Sequence, residues 1–342
     1  VSGERRLRSI AHRRADEGAE LPDEGRLPGF SRATAWLNSE PLTPASLAGR
    51  VVLVDFWTYT CVNWLRTLPY LRAWNEKYAD AGLTIVGVHT PEFGFEGDLR
   101  NVSEHVRSLG IDYPVAVDTD FGVWDEFANH YWPAAYLADA NGRIRYHHFG
   151  ESEYAMTEMA IQQLLVDAGS VAIDQGLVTV DPQGLEVAAD WATLRSPETY
   201  LGYRQSSGFA SDDPELYDRP HVYSGGGSGP LNTWDLAGDW TVAGGAVTVN
   251  ETGGRITFRF QARDVNLVMA SPALGTEIPF RVQLGGAPVG DAHGTDTDSS
   301  GIGVVDRPQT YQLVRQAGAV AEQFVEIEFL APGVEAYCFT FG

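Results

Sequence analysis

The chain is 342 residues long, 44% hydrophobic and 11% aromatic, and carries a formal net charge of −22 at pH 7. That length exceeds one small α/β unit of roughly 100–150 residues, so a second domain is expected, and both can bury a core. The acidic excess argues against nucleic acid and anionic membrane as partners, since both need clustered Lys and Arg, and no run of about 18 apolar residues reads as a membrane span.

Glu4 to Arg14, ERRLRSIAHRR, is basic with no apolar stretch behind it. Residues 1–30 therefore read as a solvated N-terminal arm and not as a secretory signal. Glu17 to Arg50 carries Pro22, Pro28, Pro41 and Pro44 among polar residues, an irregular lead-in with one short strand at Ala35 to Leu37. Val51 to Asp55, extended by Phe56 and Trp57, predicts a buried strand. The chain turns through Thr58, Tyr59 and Thr60, and after Cys61 the residues Leu65, Leu68, Leu71 and Trp74 recur at near-helical spacing. Cys61 thus stands where a strand ends and a helix begins. Unpaired N–H groups and the macrodipole at a helix N-terminus favour a negative charge, so the Cys61 thiol is expected to be reachable and to ionise more readily than usual.

Asp55-Phe56-Trp57, three further residues, Cys61 and then Pro69 resemble the thioredoxin superfamily. In that family a buried acid lies beneath the active-site cysteine and a proline kinks the first helix. The fuller string FWTYTCVNWLRTLPYL, with GVHTPEF after it, is similar to the TlpA/DipZ-type extracytoplasmic thioredoxin-like proteins. The resemblance implies an α/β thioredoxin-like fold over residues 31–168, with Cys61 as nucleophile and Asp55 as the acid, whose pKa rises if it is buried. One position departs from the pattern. The family motif Cys-x-x-Cys reads Cys61-Val62-Asn63-Trp64, so a tryptophan replaces the resolving cysteine. Internal release of a mixed disulfide needs a second sulfur one helical turn away, and that step is blocked. Trp64 is expected to pack in the vacated space.

Further along, Leu83 to Val88 predicts a second buried strand, ending in His89-Thr90-Pro91-Glu92. Asp98 to Leu109 predicts an amphipathic helix, Val115 to Val117 a short strand and Phe121 to His130 another helix. Tyr131 to Leu137 is a strand opened by Pro133, and Asn141-Gly142 signals a type I′ hairpin joining Ala135–Ala138 to Ile144–Phe149. Thr157 to Ala168 closes the unit as a helix. The resemblance places the family's cis-proline, packed beside the active-site cysteine, at Pro133 after Trp132, and an acid of the site at Glu92. His89, His147 and His148 lack metal-ligand spacing and read as packing residues.

From Asp181 onward short β-branched runs separated by Gly, Asp and Pro predict an all-β sandwich, jelly-roll-like, with strands at Trp240–Val249, Arg255–Phe260, Val265–Ala270, Phe280–Leu284, Thr310–Val314, Phe324–Leu330 and Tyr337–Phe341. The expected division is an arm (1–30), the α/β domain (31–168), a linker (169–190) and the β domain (191–342), with Ser196 to Ser211 as a connecting segment that packs between the domains. TlpA/DipZ-type proteins carry a carbohydrate-binding-module-like sandwich at this place, which makes carbohydrate a candidate ligand, with Trp234, Trp240, Tyr311 and Tyr337 either as a sugar platform or as core. Asp296 to Gly301 copies the opening of a calcium loop, but Arg307 stands where a bidentate Glu is needed. With two cysteines, Cys61 and a core-like Cys338, there is neither a disulfide scaffold nor a zinc site, and no cofactor or metal is expected.

Three functions fit. In the first, a single thiol forms mixed disulfides with protein or small-molecule thiols, resolved by an external thiol. In the second, the chain is a one-cysteine peroxidase, because Thr58-x-x-Cys61 matches the peroxiredoxin Thr-x-x-Cys, although Val54 stands where that family has proline. In the third, the site is inert and the β domain binds glycan or a protein. The first is favoured, and the resemblance implies a location outside the cytoplasm.

Overall fold

Every residue of Val51–Trp57 is buried, so this run shows no polar alternation and forms a strand covered on both faces. In the computed structural model it is β2 of a six-stranded sheet, with β1 (Ala35–Leu37), β3 (Leu83–His89), β4 (Val115–Val117), β5 (Ala134–Ala138) and β6 (Ile144–Phe149). The spatial order is β1-β4-β3-β2-β5-β6. Strands β2, β3 and β4 run parallel, which requires crossovers, supplied by the helices α1 (Val62–Tyr78) and α2 (Leu99–Ser108). β1, β5 and β6 pair antiparallel with their neighbours, and α3 (Gly122–Glu126) and α4 (Tyr154–Asp167) complete the unit. This is the thioredoxin-like α/β arrangement. Gly87 of β3 pairs with Asp55 of β2, and a Cβ there would lie 2.8 Å from the Trp57 indole nitrogen, so the glycine leaves room for that ring.

The structure describes residues 21–170, 173–214, 216–225, 229–273 and 275–342; the basic stretch Glu4 to Arg14 lies outside them. The chain divides into two units, Val1–Pro182 and Gln183–Gly342.

Local chemistry overrides the sequence pattern at three places. The Asn141-Gly142 turn is not type I′. Within it only Gly142 has a positive φ (71°), its N–H bonds the Asp139 carbonyl at 2.9 Å, and the register shifts between Leu137 and Ala138. The Asp139 carboxylate accepts from the N–H groups of Asn141 and Arg143 at 2.9 and 3.0 Å and so keeps Asn141 out of the left-handed region. The helix expected over Phe121–His130 is only Gly122–Glu126, because Ala128 turns to φ 48° and the Asn129 amide bonds forward to the Tyr131 carbonyl at 3.0 Å. The strand expected over Trp240–Val249 is two strands. Ala243 N–H bonds the Ala246 carbonyl at 2.9 Å and the Gly244-Gly245 pair turns the chain back on itself.

The second unit is an antiparallel β-sandwich: β7 (Thr199–Tyr200), β8 (Pro220–Ser224), β9 (Thr233–Val242), β10 (Val247–Val249), β11 (Arg255–Phe260), β12 (Asp264–Ala270), β13 (Ile278–Leu284), β14 (Ala287–Pro288), β15 (Ile302–Val305), β16 (Gln309–Arg315), β17 (Gln323–Phe329) and β18 (Glu335–Phe341). Ile256, Phe258 and Phe260 alternate inward along β11, as the strand period demands. Ser196 to Ser211 packs on this sandwich: β7 pairs with β18, and Phe209 bridges Trp234. Trp234, Trp240 and Tyr311 are at most 1% exposed, so they are core and form no open sugar platform. Asp298 accepts from the N–H groups of Ser300 and Ile302, closing its own turn.

Phe258 lies 4.9 Å from the ring of Phe339 and 5.1 Å from that of Phe341. Phe258→Ala is expected to destabilise the second unit by about 3–5 kcal/mol. The check is the urea midpoint of its β-sheet circular dichroism transition, and a loss below about 1 kcal/mol would contradict this packing.

Candidate active site

Cys61 is the N-cap of α1. Its N–H bonds the Thr58 carbonyl at 3.2 Å, and its carbonyl receives the first helical bond, from Leu65 N–H, at 2.9 Å. No side chain caps this helix terminus and no acid stands in its first turn, which leaves the positive end of the macrodipole beside the sulfur. Both cysteines are thiols. Cys61 is 9% exposed between Thr60 and Val62, which are 1% and 4% exposed, so it is less open to solvent than the sequence pattern implies.

Behind the turn, Asp55 is buried at 1% exposure near the end of β2. The Trp64 indole N–H donates to its Oδ2 at 2.8 Å, and the same ring stacks on Trp57 with centroids 4.2 Å apart. Loss of solvent pushes the Asp55 pKa up to about 8, the Trp64 bond offsetting part of that rise. Trp64 therefore does more than fill the space of a missing cysteine: it supplies the buried acid with a donor. Asn63, half-buried, accepts from the Thr67 hydroxyl at 3.1 Å through its carbonyl.

Ahead of the turn lies an acid that sequence reasoning missed. Glu96 is fully buried and accepts from Thr60, the residue before Cys61, and from the N–H groups of Glu92 and Phe93. Glu92, the acid the sequence singled out, meets this cluster through its main-chain N–H. Nothing in the spacing of Phe93-Gly94-Phe95-Glu96 marks the last residue as buried. His89 is 0% exposed, edge-on to Trp57 at 4.8 Å and stacked with Tyr59 at 5.6 Å. Burial and the neighbouring His105 press its pKa down to about 3, so it stays neutral.

The Trp132–Pro133 peptide is cis, and the Trp132 indole N–H donates to the Thr90 carbonyl at 3.2 Å. Pro133 and Asp55 share the lining of a cavity of about 20 Å³ with Thr67 and Tyr154, space for one water. The structure thus brings Asp55, Trp57, Trp64 and Pro133 together behind the start of α1. His147 instead pairs with Glu24 at 2.7 Å, and among the described residues no group of three or more His, Cys, Asp or Glu could hold a metal. Nor is any helix among them long and apolar enough to cross a membrane.

Comparison with known proteins adds a family. Residues 22–165 match the family described as Redoxin, and residues 196–342 the family described as Thioredoxin like C-terminal domain. The chain is 31% identical over 337 residues to Protein DipZ of Mycobacterium tuberculosis, covering 96% of this chain and 44% of that protein, so it spans less than half the length of that relative. It is 29% identical over 141 residues to the thiol-disulfide oxidoreductase YkuV of Bacillus subtilis, covering 41% of this chain and 95% of that one. A solved structure of a thioredoxin-like protein in the oxidized form is 30% identical and covers 42% of this chain and 96% of its own, with a TM-score of 0.39.

Two outcomes follow from the Asp55–Trp64 pair. The folded chain holds the Asp55 proton up to about pH 8, whereas the unfolded chain releases it near 3.8, so between those values the unfolded state binds fewer protons and stability falls as pH rises. Asp55→Asn is expected to remove a decline of the order of 1 kcal/mol per pH unit across that window, read from urea midpoints against pH; an unchanged slope would place the titrating group elsewhere. Trp64→Phe keeps a ring against Trp57 but strips the donor. It should cost about 1–3 kcal/mol and raise the Asp55 pKa further, visible in the carboxyl resonance of an NMR titration.

Proposed function

Because residues 22–165 match the Redoxin family and the chain is similar to Protein DipZ, we propose that it acts through Cys61 as a single-thiol disulfide-exchange protein. One observation carries the reading: Cys61 keeps the nucleophile's place at an uncapped helix N-terminus, while Trp64 occupies the resolving position and is fastened there by its bond to Asp55.

The Cys61 thiolate attacks one sulfur of a partner disulfide. A new S–S bond forms, the partner's own S–S bond breaks, and the departing thiolate takes up a proton. Asp55 holds a proton at neutral pH and supplies one at the buried side of the site, and being neutral it does not oppose the charge on Cys61. With no second sulfur on α1, release requires an external thiolate, which attacks the mixed disulfide and returns Cys61 to its thiolate. Pro133 walls the site behind Asp55, and Glu92 holds its loop through the main chain. Protein or small-molecule disulfides are the substrates. The resemblance to TlpA/DipZ-type proteins supports a location outside the cytoplasm, where disulfides persist.

Incubation with oxidised glutathione is expected to add one glutathionyl group at Cys61, seen by intact mass and peptide mapping and removed by dithiothreitol. Cys61→Ser should abolish the adduct and Cys338→Ser should leave it. An adduct that survives Cys61→Ser, or none in the parent protein, would overturn the proposal.

A further inference from the structure

Glu96 lies in the short turn Gly94–Gly97 that follows β3, at 0% exposure. Its Oε1 accepts from the Thr60 hydroxyl at 2.6 Å and from Thr60 N–H at 3.3 Å. Its Oε2 accepts from the N–H groups of Glu92 at 2.7 Å and Phe93 at 2.9 Å. No ion pair among the described residues includes Glu96, and four dipoles on two separate chain segments hold its carboxyl.

This donor set suits a carboxyl side chain. Oε2 faces two N–H groups and can only accept from them, while Oε1 faces the Thr60 hydroxyl, which donates to a carboxylate and accepts from a protonated acid or an amide. The 2.6 Å bond from the Thr60 hydroxyl is in the range of an O–H bound to an anionic oxygen. Burial, the largest influence, raises the Glu96 pKa, and the hydrogen bonds offset part of that rise. Burying a charge is costly, and a residue that only filled space here would be apolar. What the carboxylate does, and an apolar side chain would not, is tie Thr60 to the segment that leaves β3.

Thr60 immediately precedes the N-cap. Resting on the reading of Cys61 as the reacting thiol, we propose that Glu96 is a positioning residue whose carboxylate clamps Thr60 and thereby holds the Cys61 sulfur over the N–H groups that open α1. The sign of its effect separates this from the alternatives. As a mere charge near Cys61, Glu96 would oppose the thiolate, and its removal would make the thiol ionise more easily. As a clamp it favours the thiolate, and its removal lets the sulfur drift from the helix terminus.

The test is the pH profile of Cys61 alkylation by iodoacetamide, followed on the Cys61 peptide by mass spectrometry. Glu96→Leu, which can bond neither segment, is expected to move the midpoint up and to slow alkylation at neutral pH about fivefold. Thr60→Val should act in the same direction, Thr60→Ser should restore the parent profile, and the pair Glu96→Leu with Thr60→Val should do little more than Glu96→Leu alone, because both remove the Thr60 hydroxyl bond. Amide hydrogen exchange at Thr60, Glu92 and Phe93 should quicken in Glu96→Leu. A midpoint that moves down, or one that stays while only the urea midpoint falls, overturns the proposal. Should Cys61 of the parent protein resist alkylation at every pH, the disulfide-exchange reading fails, and the clamp then stands or falls on the amide exchange alone.

Discussion

The hydrogen bond from the Trp64 indole to the Asp55 carboxyl fastens the first turn of α1 to the end of β2, and the geometry around Cys61 depends on it. A fully buried acid without a donor costs about 1–3 kcal/mol. Tryptophan meets that need and also supplies a large apolar face, which here lies on Trp57. The side chain that removes the second sulfur is therefore the one that keeps the first in register. Position 64 carries a structural bond in place of a sulfur.

The two acids that bracket Cys61 differ in the donors around them. Asp55 has one neutral donor on Oδ2, so desolvation wins and it keeps its proton at neutral pH. Glu96 has four donors, which offset part of the same desolvation, and its pKa is raised as well. His89, enclosed by Trp57 and Tyr59, stays neutral, and Arg66 of α1 is committed to Glu151 at 2.8 Å. The N–H groups that open α1 favour negative charge at Cys61, and their influence falls off within a turn and so depends on where the sulfur is held.

The strand at Val51–Trp57 and the junction at Cys61 were legible because they follow from local pattern: an unbroken apolar run and the switch to helical spacing. The two contacts that define the site were not. Trp64 and Asp55 are nine residues apart on different elements, so their bond arises from where α1 rests on the sheet. Glu96 is buried by donors from residues 60, 92 and 93, and no periodicity in its own neighbourhood reports that. The same reason explains the turn at Asn141-Gly142, where the Asp139 carboxylate two residues back decided the backbone. Side-chain acceptors of this kind act through main-chain N–H groups, which every sequence has and none displays.

The bond at position 64 also bears on whether a Cys-x-x-Cys site lies one substitution away. A cysteine there would restore the second sulfur but withdraw the ring from Trp57 and the donor from Asp55 together. A cavity the size of an indole costs several kcal/mol where the surroundings cannot close, roughly 3–5 for a buried aromatic. Asp55 would then need another donor in the same small space. The stacked rings and the acid form one packed unit fitted to tryptophan, in which a single exchange for cysteine leaves both a void and an unpaired acid.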